Sequence, residues 1–159
     1  MMSPQDEEFL REAIRLSSEQ MLAEEGGPFG AVVVREGRII GRGWNRVTST
    51  NDPTAHAEII AIREACAESG SFHLSGATIY SSCEPCPMCL CAILWARLDR
   101  IVYAASRHDA AAAGFDDQAF YDEISRAPHE RSVASEQGLR EESLAALRAW
   151  VQKPDRLDY

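Results

Sequence analysis

Lysine is almost missing from this chain: Lys153 is the only one. Acidic side chains number 25 and basic ones 16, so the formal charge is -9. No run of Lys and Arg interrupts that balance. A phosphate-rich partner is therefore disfavoured, because affinity for nucleic acid leans on cations that neutralise phosphates. Long apolar runs are missing too. No stretch approaches the roughly 18 uninterrupted apolar residues of a membrane span. The first residues, Met1-Met2-Ser3-Pro4-Gln5-Asp6-Glu7-Glu8, offer neither a basic start nor an apolar core segment, and no secretory signal is expected. What remains is a soluble chain suited to a free small molecule, with no membrane or nucleic-acid partner.

Cysteine is present in an odd number. Of Cys66, Cys83, Cys86, Cys89 and Cys91, four lie within nine positions. That crowding suits a metal site better than a disulfide framework, and a reducing cytoplasm is the simplest setting. The length of 159 residues suggests one domain, 1–159, with a helical tail from about residue 141.

Ser3 and Pro4 open a first helix as N-cap and first helical residue, with Asp6 three positions after the cap. Phe9, Leu10, Ala13, Ile14 and Met21 mark its apolar stripe, and Gly26-Gly27-Pro28 ends it. Residues 29–35 and 38–44 read as strands around a Glu36-Gly37 turn. Residues 45–51 read as a polar loop. Asp52-Pro53-Thr54 reads as the start of a second helix reaching about Ser69-Gly70. A strand over 77–82, a helix from Pro85 to Arg97 and a strand over 100–105 follow. A hairpin followed by alternating helices and strands predicts an α/β domain of three layers with a mixed sheet. Residues 116–125 and 141–152 read as helices, the latter with Leu144, Leu147 and Val151 on one stripe.

The chemistry is concentrated in His56-Ala57-Glu58 and Pro85-Cys86-Pro87-Met88-Cys89. Cys86 and Cys89 stand three apart and share a face at a helix start. A helix N-terminus favours thiolate over thiol, and thiolate is the form that binds zinc. One histidine and two cysteines hold Zn2+ with a fourth position open, which distinguishes a catalytic site from a structural one. Glu58 is placed to shuttle protons for a water at that position. His56 and Glu58 are only two apart, which is not one-face spacing on a helix. They serve one metal only from the rim of a helix end, so two helix N-termini are expected to meet across the zinc. Cys66 and Cys91 are expected in the core, and His73, His108 and His129 on the surface.

Here the chain resembles the cytidine and nucleobase deaminase superfamily, whose signature is H-x-E followed by P-C-x-x-C. More narrowly it is similar to the bacterial guanine deaminase branch. Gly27-Pro28-Phe29-Gly30-Ala31-Val32-Val33 resembles the family's first strand. Residues 51–58 and 82–89 resemble its two metal segments. Ala113-Gly114-Phe115-Asp116-Asp117 and the terminal Asp158-Tyr159 resemble the guanine deaminases in particular. The likeness spans most of the chain and is poor from about Ala127 to Glu142. It implies a three-layer α/β/α cytidine-deaminase-like fold with a mixed five-stranded sheet. It also implies hydrolysis of guanine to xanthine and ammonia, with Glu58 as the main proton shuttle and Asp117 as a second acid. Asn45, Phe29, Trp95 and Tyr159 would bind the base. Tyr159 would lie on a tail folded over an active site, its own or that of a neighbour in a homodimer.

Other readings stay open. Related enzymes of the superfamily act on guanosine, on triazines such as ammeline, on other nucleobases or on adenosine in tRNA, the last being poorly matched to a charge of -9. A non-enzymatic alternative recruits Cys83 as a fourth ligand, making a closed structural zinc site of three cysteines and one histidine. Asn45 could be a turn residue, Asp116 and Asp117 could cap a helix, and Phe29 and Trp95 could be ordinary core.

Overall fold

Helix α1 (Pro4–Leu22) begins as its sequence suggests. The Asp6 N–H donates to Ser3 Oγ (3.1 Å) and the Ser3 N–H donates to Asp6 Oδ2 (2.7 Å), a closed capping box. Strands β1 (Gly30–Arg35) and β2 (Arg38–Trp44) form an antiparallel hairpin with a bulge between Val33 and Val34. A short helix α2 (Val47–Thr50) follows, then α3 (Ala57–Ser69), β3 (Ala77–Cys83), α4 (Pro87–Trp95) and β4 (Arg100–Ala105). Helices α5 (Arg107–Ala112) and α6 (Asp117–Ser125), a single 3-10 turn at Pro128–Glu130 and α7 (Arg140–Gln152) complete the chain. This computed structural model describes residues 2–115 and 117–159, apart from the Asp117 side chain.

The sheet order is β2-β1-β3-β4. β1 is antiparallel to both β2 and β3, and β3 is parallel to β4, so the sheet is mixed as expected. The expected fifth strand is corrected: among the described residues the sheet has four. After β4 the chain carries Ala110-Ala111-Ala112-Ala113, residues that favour helix over strand, and it forms α5 and α6 instead.

Alternation along β1 fills two cores. Ala31 and Val33 face the layer with α3 and α4, where they join Ile79, Ala57, Ala61 and Ile93. Val32 and Val34 face α1, with Leu10, Leu16 and Tyr80. Both faces of the sheet are thus covered, which is why β1 reads as a continuous apolar run rather than an alternating one.

Asp6 has a second task that its capping pattern conceals. Arg100 grips it with two bonds (2.7 and 3.2 Å), and the Tyr80 hydroxyl donates to it (2.6 Å). Arg100, then Tyr80 and Ser3, hold its carboxyl well below the usual carboxylate range. Burial and the Asp6 contact push the Tyr80 phenol up to about 12. A depressed folded pKa means that this stabilisation is complete above the unfolded value of about 4 and is lost as pH falls toward the folded one. The melting-temperature gap between wild type and Asp6→Asn is therefore expected to be full at pH 6 and to narrow steadily below about pH 4. A gap independent of pH would rule out this role for the carboxylate.

Two compact units are present, Met1–Tyr121 and Asp122–Tyr159. The second contains the end of α6, the 3-10 turn and α7. Within it the Ser132 hydroxyl donates to Glu123 (2.8 Å), while Leu147 and Val151 stand exposed on α7.

Candidate active site

The start of α3 differs from its sequence reading. Asp52 does not cap it; its Oδ1 accepts from the Thr54 N–H (2.8 Å) in a local turn. The helix begins at Ala57, with His56 itself as N-cap in extended conformation. Cys86 is likewise the N-cap of α4. Two helix N-termini thus face one another through their capping residues, and the rim geometry inferred from the His56–Glu58 spacing is present.

Glycines on β2 make this placement possible. A Cβ on Gly43 would sit 2.0 Å from the Ala57 carbonyl oxygen, and one on Gly41 would sit 2.2 Å from that of Ala61. The backbone of α3 therefore rests directly on β2, and its first turn is seated beside the sheet end that carries the site.

His56 Nδ1 lies 3.6 Å from Cys86 Sγ and 3.5 Å from Cys89 Sγ, and all three ligand atoms fall within 4.8 Å of one another. Zinc bonds of about 2.0–2.3 Å in tetrahedral directions require separations of roughly 3.5 Å, so the donor set fits the ion. The two thiols differ. Cys86 is pulled down to about 4, first by the neighbouring Cys89 and then by His56, whereas Cys86 and burial push Cys89 up. Cys83 ends β3 with its Sγ directed at the Ser106 carbonyl (3.6 Å), outside the ligand group. This argues against a closed site of four protein ligands.

Glu58 is 6% exposed. Its Oε1 accepts from the Ser81 hydroxyl (3.1 Å) and its Oε2 from the Cys89 thiol (3.4 Å). Burial pushes its carboxyl above the usual range. Ser81 escaped the sequence reading, although two consecutive serines closing a strand buried on both faces were a usable signal.

A cavity of about 580 Å³ opens over these residues, lined by His56, Glu58 and Cys86 among others. Asn45 forms part of its wall. The Gly27 and Val47 N–H groups both donate to Asn45 Oδ1 (3.0 and 3.2 Å), which fixes the amide and leaves Nδ2 as the donor end. A Cβ on Gly26 would meet the Asn45 carbonyl oxygen at 2.2 Å, so this approach requires glycine. Phe29 also lines the cavity, edge-on to Phe115 at 4.7 Å and 82°. Phe115 lies within the family-like segment, and its contact with Phe29 is not legible in the sequence.

Other expected site residues are placed differently. Trp95 is not among the cavity-lining residues: it ends α4, two turns beyond the ligand end, is 60% exposed, and lies 5.9 Å from the Arg97 guanidinium. Tyr159 belongs to the second unit and is 68% exposed. The Asp117 side chain and Asp116 lie outside the described residues. Cys66 packs against the core as expected, whereas Cys91 is exposed, because α4 turns it away from the sheet. His73, His108 and His129 are on the surface.

A helix-rimmed site of one histidine and two cysteines, with a buried carboxylate beside it, is the arrangement of a zinc-dependent deaminase. Residues 3–105 match the cytidine and deoxycytidylate deaminase zinc-binding region, and the chain belongs to that family, with zinc as its cofactor. The guanine deaminase of Bacillus subtilis (strain 168) is 48% identical over 153 residues, which is 96% of this chain and 98% of that one. Its X-ray structure superposes with a TM-score of 0.93 over the same shares. A guanine deaminase structure from Nitrosomonas europaea covers 94% of this chain and 85% of its own, at 29% identity and a TM-score of 0.67. The tRNA-specific adenosine deaminase of Haemophilus influenzae is 43% identical over 120 residues, 70% of this chain and 68% of that one.

Proposed function

We propose that this enzyme hydrolyses guanine to xanthine and ammonia. One observation carries the reading. The likeness to the Bacillus subtilis guanine deaminase runs over 96% of the chain, whereas the likeness to the Haemophilus influenzae tRNA deaminase covers 70% of it. The charge of -9 points the same way, toward a free base rather than a polyanion.

His56, Cys86 and Cys89 would hold the zinc. When bound, zinc supplies a Lewis acid that makes water a usable nucleophile near neutral pH. Glu58 accepts a proton from the water attacking C2 of the base and hands it to the ring nitrogen. It then assists departure of the amine as ammonia. Ser81 holds Glu58 Oε1, and Cys89, as a thiolate on zinc, would have no proton to give Oε2, which would leave Oε2 for this transfer. Asn45 offers its Nδ2 donors to an acceptor on the purine, and Phe29 with Phe115 provides a flat apolar wall. Asp117 serves as a second proton-carrying group by the same resemblance.

By the same resemblance Tyr159 would lie on a tail folded over an active site, its own or that of a homodimer neighbour, and Trp95 is a candidate apolar wall for the base. The homodimer is supported by exposed apolar side chains on the first unit, notably Leu94 and Tyr103. Among the described residues no helix is long and apolar enough to cross a membrane. The five cysteines, none of them in a disulfide here, suit the cytoplasm.

Ammonia release from guanine, guanosine, adenine, cytosine and ammeline tests the substrate. Guanine is expected to have the highest kcat/KM. A chain lacking its last four residues, run in the same panel, is expected to turn guanine over more slowly. A stronger preference for any other amine would overturn the guanine reading, and an unimpaired truncated chain would remove Tyr159 from the site.

A further inference from the structure

Glu84 and Pro85 immediately precede the ligand Cys86, and the mechanism leaves both unused. Each holds a different end of the chain that builds the cavity wall. The Arg107 N–H donates to Glu84 Oε2 (3.0 Å), and the Arg107 guanidinium reaches Glu84 Oε1 (3.5 Å from Nε). The Glu84 N–H donates in turn to the Ala105 carbonyl (2.8 Å), which fastens the same loop to the end of β4. The guanidinium also lies over the Tyr121 ring, 4.3 Å from its centroid. Tyr121 then donates its hydroxyl to the Pro85 carbonyl (2.8 Å). The connections form a closed ring: Glu84, Arg107, Tyr121, Pro85 and back along the chain to Glu84. Phe115 and Phe120, which lie between Arg107 and Tyr121 in sequence, both line the cavity.

We infer that Glu84, Arg107 and Tyr121 are positioning residues whose ring of contacts ties the loop carrying Cys86 to the wall carrying Phe115 and Phe120. The inference rests on the substrate reading above only for its kinetic arm. Each component has a separate physical basis. Glu84–Arg107 is a half-buried ion pair reinforced by a backbone donor. Arg107–Tyr121 is a cation over an aromatic face, which a planar guanidinium satisfies better than an ammonium. Tyr121–Pro85 uses a carbonyl whose residue sits next to a zinc ligand. Phe115 and Phe120 line the cavity, and on the substrate reading they would touch the base rather than the reacting atoms, so loosening them weakens substrate and transition state alike. That raises KM and leaves kcat in place.

The test uses the zinc-loaded, full-length enzyme and the variants Arg107→Met, Tyr121→Phe and the double variant. Amide exchange in α5 and in Gln118–Tyr121 is expected to quicken about tenfold in Arg107→Met and less in Tyr121→Phe, the scale set by losing one or two charge-assisted or neutral contacts. Exchange in β1 and β3 and the zinc content should match wild type. KM for guanine is expected to rise about tenfold in Arg107→Met with kcat little changed. The double variant should be no worse than Arg107→Met alone, as members of one ring are not additive. Exchange unchanged in those helices, exchange quickened equally in the strands, multiplying effects or an unchanged KM would each overturn the inference. Should wild type release no ammonia from guanine, the substrate reading fails while the exchange data still decide the ring.

Discussion

Glu58→Gln is expected to retain its zinc and lose about a thousandfold in kcat, within the 10²–10⁴ typical of a positioned acid–base group. Glutamine keeps the volume of a side chain that is 6% exposed, and its amide oxygen still accepts from Ser81. What it cannot do is take and return a proton. His56, Cys86 and Cys89 are untouched, so metal content measured alongside ammonia release separates proton transfer from metal binding. Turnover within tenfold of wild type would deny Glu58 its role. Loss of zinc would show instead that the carboxylate holds the metal site together.

Gly43→Ala is expected to be the most damaging small substitution in the scaffold. The added carbon would sit 2.0 Å from the Ala57 carbonyl oxygen and 2.5 Å from the Ala61 nitrogen, both backbone atoms of α3. Neither can rotate away, so helix and strand must separate. Overpacking of this kind costs roughly 1–3 kcal/mol and occasionally more. With rigid backbone on both sides, about 3 kcal/mol is expected, a fall of roughly 6–12 °C in Tm for a domain of this size. Ala57 stands between His56 and Glu58, so zinc affinity should fall with stability. A thermal melt and a zinc titration of the same variant check both. A Tm within 2 °C of wild type, or ~0.5–1 kcal/mol by the same relation, would mean that the helix–strand contact yields easily.

The strands of the hairpin, the two ligand segments and the capping of α1 were legible because each depends on residues close in sequence. Ser3 and Asp6 show where that legibility stops. Their spacing gave the cap, but Arg100 is 94 positions from Asp6, and no local pattern announces that pair. The same limit applies to Ser81 and Glu58, and to Phe29 and Phe115. Trp95 shows what a helix decides: it shares α4 with the ligand Cys89, and α4 places it two turns from that end, outside the cavity lining.

By itself, then, the sequence determined the candidate ligands, the acid beside them and the need for helix ends, while the structure set Cys83 apart from them. Zinc demands particular atoms at short spacing, and His56–Glu58 at two apart fits only a rim. The tertiary structure decided where those rims meet, which oxygen of Glu58 is held, which end of the Asn45 amide faces the cavity and which aromatics form its wall. Those depend on contacts between distant segments, made possible by backbone packing at Gly26, Gly41 and Gly43, where the absence of a side chain is the structural fact.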